Sequence, residues 1–463
     1  MTSRSDSASA TAAGHAAGGV AAKPRVVIVG GGFAGFHTAR TLSREVGDEV
    51  EVTLVSSTDY FLYLPLLPEV AAGVLDPRRI AVSLAAKLPG VRCVLGEVRK
   101  VDLDNRRLHA CTPEDVPFEL DYDRLVIAAG GTNKLLPIPG VSEHAHGFRG
   151  IPEALYLRDH VTRQIELADA CSDPAERDAR CTFVVVGAGY TGTEVAAHGA
   201  RMTAALAKTR PGLRDQKIRW LLLDVAPGVL PGLDTRLGRA AERVLRKLGV
   251  EVMMKTSVAE ATATGVRLTD DTVVPTRSLI WCVGVRPDTL IEGLDLPTEK
   301  GRLRVDEYLT VPDHPELFAC GDIAAVPDLT RPGELTGMTA QHAQRQGVAA
   351  GRNVAASLGH GERRAYKHRD LGLVVDLGGT KATANPLGIP LSGIPAFVVT
   401  RGYHLAAMPG NRARVAMDWL LDALLPKHNV QLGLVRSGAV PLDSTAPELP
   451  TPIRRFVQDD AVS

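Results

Sequence analysis

The chain is predicted to be an α/β protein: two Rossmann-like dinucleotide-binding domains and a C-terminal α+β region. Three observations predict it. A short β-branched run at 25–29 opens at once into Gly30, Gly32 and Gly35, and a second apolar run starting at Cys181 opens in the same way into Gly187, Gly189 and Gly192. Each is followed by a helix-like stretch and a further strand-like run, the order of a βαβ unit. The third is size: 463 residues, 45% of them hydrophobic, suffice for two or three domains with separate cores.

A strand that turns through Gly-x-Gly-x-x-Gly into a helix points the first helical amides at a pyrophosphate. Alone, such a turn can be mere punctuation. Its recurrence implies two dinucleotides in one chain, and an enzyme holding two dinucleotides passes electrons between them.

After the first turn, 36–46 is predicted helical and 49–55 alternates as a strand. That strand ends at Ser56, where an acid for ribose hydroxyls is expected, with Asp59 following. Residues 60–73 place aromatics and leucines between prolines, a segment that suits either a core or a wall over a flat ring. Residues 122–131 form an apolar strand ending in Ala129 and Gly130, small residues that let backbone approach a cofactor. Pro137 and Pro139 then mark a crossover.

In the second unit, a helix at 191–207 leads to a strand at 218–223 that ends at Asp224. An aspartate there accepts hydrogen bonds from a 2′-hydroxyl and repels a 2′-phosphate, so NADH is preferred over NADPH, unless Asp224 is an ordinary turn residue before Pro227. The strand-into-glycine pattern returns at 279–287, around Gly284, and 301–305 suits an edge strand. Residues 317–322 deliver Gly321 and Asp322 to the head of a helix, as a polyol contact or as a simple N-cap. On a helix at 339–347, Gln341 and Arg345 share a face, which suits a solvated stripe or a binding face. Lys381 lies in a glycine-rich, strand-like region, 369–395. Residues 414–425 form an amphipathic helix for a core or a bilayer surface.

Composition excludes several classes. Lys plus Arg equals Asp plus Glu at 53 each, which argues against a nucleic-acid partner. The six cysteines show no C-x-x-C and no zinc spacing, so reduced buried thiols are expected and neither a redox disulfide nor a metal site. His144 and His146 fit a solvated turn. Residues 1–22, poor in bulky side chains and without a leucine-type signal core, are expected to be a disordered leader, and 433–463 a flexible tail. No run approaches the ~18 apolar residues of a spanning helix.

This ordered set resembles the two-dinucleotide-binding flavoproteins, and most closely the type II NADH dehydrogenases, which reduce quinone without pumping protons. The resemblance covers about residues 24–432. It implies an FAD domain at 24–150 and 296–355, an NADH domain inserted at 151–295, and a C-terminal domain at 356–432 with a peripheral membrane face. It gives Gly30, Gly32 and Gly35 to FAD and Gly187, Gly189 and Gly192 to NADH, makes Gly321 and Asp322 the ribitol contact, and puts Glu194 beside nicotinamide and flavin. Gln341 and Gln346 match the quinone-side motif, Lys381 a basic residue near the ring system, and 65–73 a segment beside the flavin. The acceptor implied is menaquinone or ubiquinone; a ferredoxin-like acceptor and a non-turnover flavin redox sensor are the alternatives. Sulfide:quinone reductases are related but need paired reactive cysteines. The chain departs from the family at Ser56, at Arg345, where a glutamine is often found, and in short or missing C-terminal membrane helices. The implied location is cytoplasmic, peripheral on the cytoplasmic face of the membrane; whether it forms a homodimer is left open.

Overall fold

The computed structural model describes residues 22–442 except 233, 369–370 and 426–429. The leader expected at 1–22 and the last residues of the tail lie almost wholly outside the described residues.

The first unit begins with β1 (Arg25–Val29), whose Val26, Val27 and Ile28 are buried, followed by α1 (Phe33–Val46) and β2 (Glu51–Ser56). Burying each such side chain contributes ~1.5–3 kcal/mol. After the short helix α2 (Leu67–Ala71) come β3 (Val91–Leu95) and β4 (Arg124–Ile127). The chain leaves this sheet through β5 (Gly131–Asn133) and enters a helix, α3 (Ile151–Asp169).

The second unit repeats the plan with β6 (Thr182–Val186), α4 (Tyr190–Ala207), β7 (Arg219–Asp224), α5 (Thr235–Lys247), β8 (Val250–Met254) and β9 (Ser278–Trp281). Its sheet runs Ala145–His146, β9, β6, β7, β8, all parallel. Ala145–His146 belongs to it, so this sheet starts ahead of residue 151. The return passes through β10 (Val285–Pro287), antiparallel to β5, then β11 (Arg302–Arg304) and β12 (His314–Ala319). β12 pairs parallel with β4, so the first sheet reads Thr310–Val311, β12, β4, β1, β2, β3, and the second unit is inserted within it. Beyond lie α6 (Ala340–Ser357), the hairpin of β13 (Val374–Asp376) and β14 (Ala382–Ala384), α7 (Ile394–Ala407) and α8 (Arg412–Leu424).

Three expectations are corrected. β11 is no edge strand: Thr298–Glu299 and Ala324–Ala325 flank it, with Leu303 buried between them. His146 is not in a solvated turn, because its ring packs against Tyr156 and His160 at 4.9 and 4.8 Å, and burial lowers its pKa to about 4. The C-terminal helices α7 and α8 are short, as expected, at 14 and 13 residues. The tail does not leave the body at 433: the amides of Leu432 and Gly433 donate to Asp159, and Val440 and Leu442 are buried. Apolar side chains and amide donors with a ready acceptor keep that segment docked.

Candidate active site

The two glycine turns are near copies. Gly30 and Gly187 have φ +103° and +104°, a conformation open to glycine, and a Cβ there would strike the carbonyl oxygens of Ala128 and Cys282 at 2.4 and 2.2 Å. A Cβ on Gly35 or Gly192 would sit 1.8 Å from the carbonyl of Gly30 or Gly187, so helix and strand close only on glycine. The middle glycines differ in kind: a Cβ on Gly32 or Gly189 would meet nothing within 4 Å. Neither α1 nor α4 has a side-chain N-cap or an acid in its first turn, which leaves their leading amides for an anion. Tight outer glycines, an open middle one and uncapped amides fit a dinucleotide pyrophosphate at each turn.

Ser56 is buried under the first turn, where a Cβ on Gly31 would meet its Oγ at 2.5 Å, and its hydroxyl accepts from the Thr58 amide. Asp224 ends β7; its carboxylate accepts from the amides of Ala188, in the second turn, at 2.6 Å and Ala226 at 2.8 Å. Gly130, which follows half-buried Ala129, and Gly284 both have positive φ with open space beside them, and each stands next to the β5–β10 pair that ties the units together.

Between the units opens a cavity of about 290 Å³. The first unit supplies Leu64, Pro65, Leu67 and Pro68; the second supplies Tyr190, Glu194, Trp281 and Gly284. The far wall is Gln341 from α6 with Tyr403 and His404 from α7. The segment 60–73 is therefore both core and wall: Phe61 and Leu66 are buried while Leu64 and Pro65 face the cavity.

Of the site residues expected from sequence, Glu194, Gly284 and Gln341 line this cavity together, whereas Gln346 and Lys381 do not. Gln346 is buried and braces the Gly321 turn: its Oε1 accepts from the Gly321 amide at 2.8 Å, and its Nε2 donates to Thr336 Oγ1 at 2.9 Å. Lys381 is exposed in the β13–β14 turn. Gln341 donates to the Gly372 carbonyl at 2.7 Å, and Arg345 pairs with His368 at 3.2 Å, so this helix face is no solvated stripe. Gly321 and Asp322 do not open a helix; a turn places Gly321 against Ala34 at the start of α1. Burial raises the Asp322 pKa, against the pull of Arg302.

Sequence reasoning missed a cluster of charge beside the cavity. Glu69, 2% exposed, accepts from Arg401 at 2.5 Å and from the Trp419 indole at 2.5 Å. Arg401 also pairs with Asp376 at 3.1 Å and lies 4.0 Å over the Trp419 ring. The Asp376 amide in turn donates to Glu194 Oε1 at 3.0 Å. Burial pushes the Glu194 carboxyl well above its usual range, Asp376 and Glu69 repelling it further. The missed signal was a single acid inside Leu-Leu-Pro-Glu-Val and a single arginine inside an apolar helix, since charges flanked by core residues are buried only when paired.

A family model for pyridine nucleotide-disulphide oxidoreductases matches residues 24–347. The chain is 30% identical over 422 residues to the type II NADH:quinone oxidoreductase Ndh of Mycobacterium tuberculosis, covering 86% of this chain and 88% of that one. It is 32% identical over 412 residues to NdhA of the same organism, covering 86% of each. Its fold matches that of NDH2 from Plasmodium falciparum, solved with NADH, at TM-score 0.81 and 18% identity, covering 88% of this chain and all of that one. The chain belongs to the pyridine nucleotide-disulphide oxidoreductase family and, within it, to the type II NADH:quinone oxidoreductases.

Proposed function

We propose that this protein oxidises NADH and passes two electrons by way of FAD to a quinone, with FAD at the Gly30 turn and NADH at the Gly187 turn. The observation that carries this reading is the cavity walled by both units beside Glu194, where two ring systems seated on the two turns would meet. Bound FAD supplies a ring that accepts a hydride and yields electrons to the quinone.

The protein's own part is to bind and orient. The uncapped amides of α1 and α4 hold the two pyrophosphates, and Ser56 and Asp224 lie where the riboses come to rest. Asp322 meets the polyol chain, on a turn that Gln346 holds in place. Glu194 orients the nicotinamide edge and holds a proton beside it. Leu64, Pro65 and Pro68 exclude water from one wall. The quinone enters at Gln341, Tyr403 and His404. Lys381, exposed on its turn, is not among the residues that line this cavity.

Membrane contact is peripheral in this reading. No helix among the described residues is long and apolar enough to cross a membrane. α7 and α8 nevertheless expose Ile394, Val398, Met417, Leu420 and Leu424, each 50% or more accessible, an apolar surface suited to a bilayer interface.

The test is stopped-flow absorbance of the FAD-loaded protein. NADH is expected to bleach the flavin and menaquinone or ubiquinone to restore it. A protein that neither carries nor takes up FAD, or whose bleached flavin recovers with ferredoxin and not with quinone, overturns the reading.

A further inference from the structure

Reduction of a quinone by NADH consumes one proton beyond the hydride: NADH, H⁺ and quinone give NAD⁺ and quinol. The cavity wall offers Glu194 as the carboxyl nearest at hand, and a group that gives up its proton must be recharged. The cluster behind it is built for that.

Three carboxyl groups converge there from three elements: Glu69 of α2, Glu194 of α4 and Asp376 of β13. Glu69 and Asp376 are 2% and 5% exposed, and one guanidinium, Arg401, spans both. The other titratable groups facing them are His198, whose Nε2 is 3.8 Å from Asp376, and His404, one turn along α7 from Arg401. Three ionised carboxylates against one fixed cation leave uncompensated negative charge in a dry site, an arrangement relieved by keeping protons on two of them, Glu194 and one member of the Glu69–Asp376 pair.

We infer that Glu69 and Asp376 form a proton-sharing carboxyl pair that recharges Glu194 during quinone reduction. This rests on the quinone-reductase reading above. Asp376 is the link, because its amide holds Glu194 Oε1 while its carboxyl shares the Arg401 guanidinium with Glu69, its Oδ2 being buried without a hydrogen-bond partner. Burial raises Glu69, whereas His198, Arg401, the Gly378 amide and Glu69 hold Asp376 below its usual range against its own burial. The proton therefore rests on Glu69. As Glu194 releases its proton to a quinone oxygen, an O–H bond breaks at Glu69 and one forms at Glu194; the pair then regains a proton from solvent. Glu69 and Asp376 touch no reacting atom, so they are positioning residues acting through Glu194.

The experiment compares FAD-loaded wild type, Glu69→Gln and Asp376→Asn. Flavin reduction by NADH is expected to stay within about twofold of wild type, while quinone-dependent turnover falls roughly tenfold and loses its dependence on pH around neutrality. Redox-difference infrared spectra of wild type are expected to show a protonated-carboxyl band that Glu69→Gln abolishes. An unchanged pH profile in folded variants, or a wild-type spectrum without that band, overturns the pair. If wild type itself fails to turn over quinone, the functional reading has failed instead, and the infrared band still decides whether the pair holds a proton.

Discussion

Tyr63 and His404, 341 residues apart, are joined by a buried hydrogen bond of 3.1 Å between the phenol oxygen and the imidazole Nδ1. The tyrosine comes from the segment that walls the first unit and the histidine from α7, so this bond seats the C-terminal helices on the cavity. Burial lowers the His404 pKa to about 4, which keeps the imidazole neutral. Replacing Tyr63 with Phe keeps the ring packing but strands a buried nitrogen, at a cost of about 1–3 kcal/mol. Urea unfolding is expected to show that loss, with the KM for quinone raised and flavin reduction by NADH unchanged. Equal stability of Tyr63→Phe and wild type would mean that water replaces the phenol.

The second turn separates a glycine needed for folding from one needed for binding. A methyl at Gly192 would lie 1.8 Å from the Gly187 carbonyl, whereas one at Gly189 meets nothing within 4 Å. Gly192→Ala is expected to destabilise the protein by several kcal/mol, in the ~1–3 kcal/mol range of overpacking or beyond. Gly189→Ala is expected to melt within a degree or two of wild type yet raise the KM for NADH about tenfold, because its methyl occupies the space of the pyrophosphate. Thermal melts beside NADH titrations check both.

These turns were legible because their chemistry is local: a few consecutive residues set backbone, helix start and open space together. Asp224 was legible for the same reason, being the last residue of a strand beside its own turn. The Glu69, Asp376 and Arg401 cluster was not, since its members lie more than 300 residues apart for Glu69 and Arg401, and only tertiary packing brings them together. Helix α7 was hidden by Ile-Pro at its start and by Val398, Val399 and Thr400, residues with strand preference that its packing overrides. Glycine followed by aspartate reads locally as the head of a helix that follows, but the turn at Gly321 and Asp322 packs instead on Ala34 at the start of α1, 287 residues before Gly321.

Asp224 sets nucleotide choice in the functional reading. Its two oxygens accept from the Ala188 and Ala226 amides, so Asp224→Asn removes the charge and keeps an acceptor for the Ala188 amide at the loss of the Ala226 bond. The ratio of NADH to NADPH turnover is expected to fall roughly tenfold, mostly by improved use of NADPH as repulsion of its 2′-phosphate disappears. An unchanged ratio would remove this role from Asp224.

Glu251 offers a pH test on the second sheet. Its carboxylate grips Arg219 through two hydrogen bonds and also meets Lys217, and the Arg219 contact outweighs burial to hold its pKa down to about 2. Between the unfolded pKa, ~4.3, and that value, the unfolded chain binds the extra proton, so this stabilisation is complete above the window and lost as pH falls through it. Because the pair is partly exposed, Glu251→Gln is expected to cost only about 1 kcal/mol near neutral pH. Urea unfolding at about pH 7 and about pH 3.5 is expected to show the difference between variant and wild type shrinking at the lower pH; a constant difference would mean that packing, not charge, holds β8 to β7.

The apolar face of α7 and α8 is the surface on which peripheral attachment rests. Leu420 and Leu424 are 50% and 71% exposed on α8, away from Trp419, whose indole donates to Glu69. Replacing both with glutamate puts charge on that face without touching the buried cluster, so NADH oxidation with a short-chain, water-soluble quinone is expected to be unchanged. Co-sedimentation with phospholipid vesicles is expected to fall by tenfold or more, since each lost leucine contact with the interface is worth roughly 1 kcal/mol and each added carboxylate is repelled by anionic lipid. If the double variant sediments with vesicles as wild type does, contact with the bilayer lies elsewhere on the molecule, and α7 and α8 serve only to close the cavity.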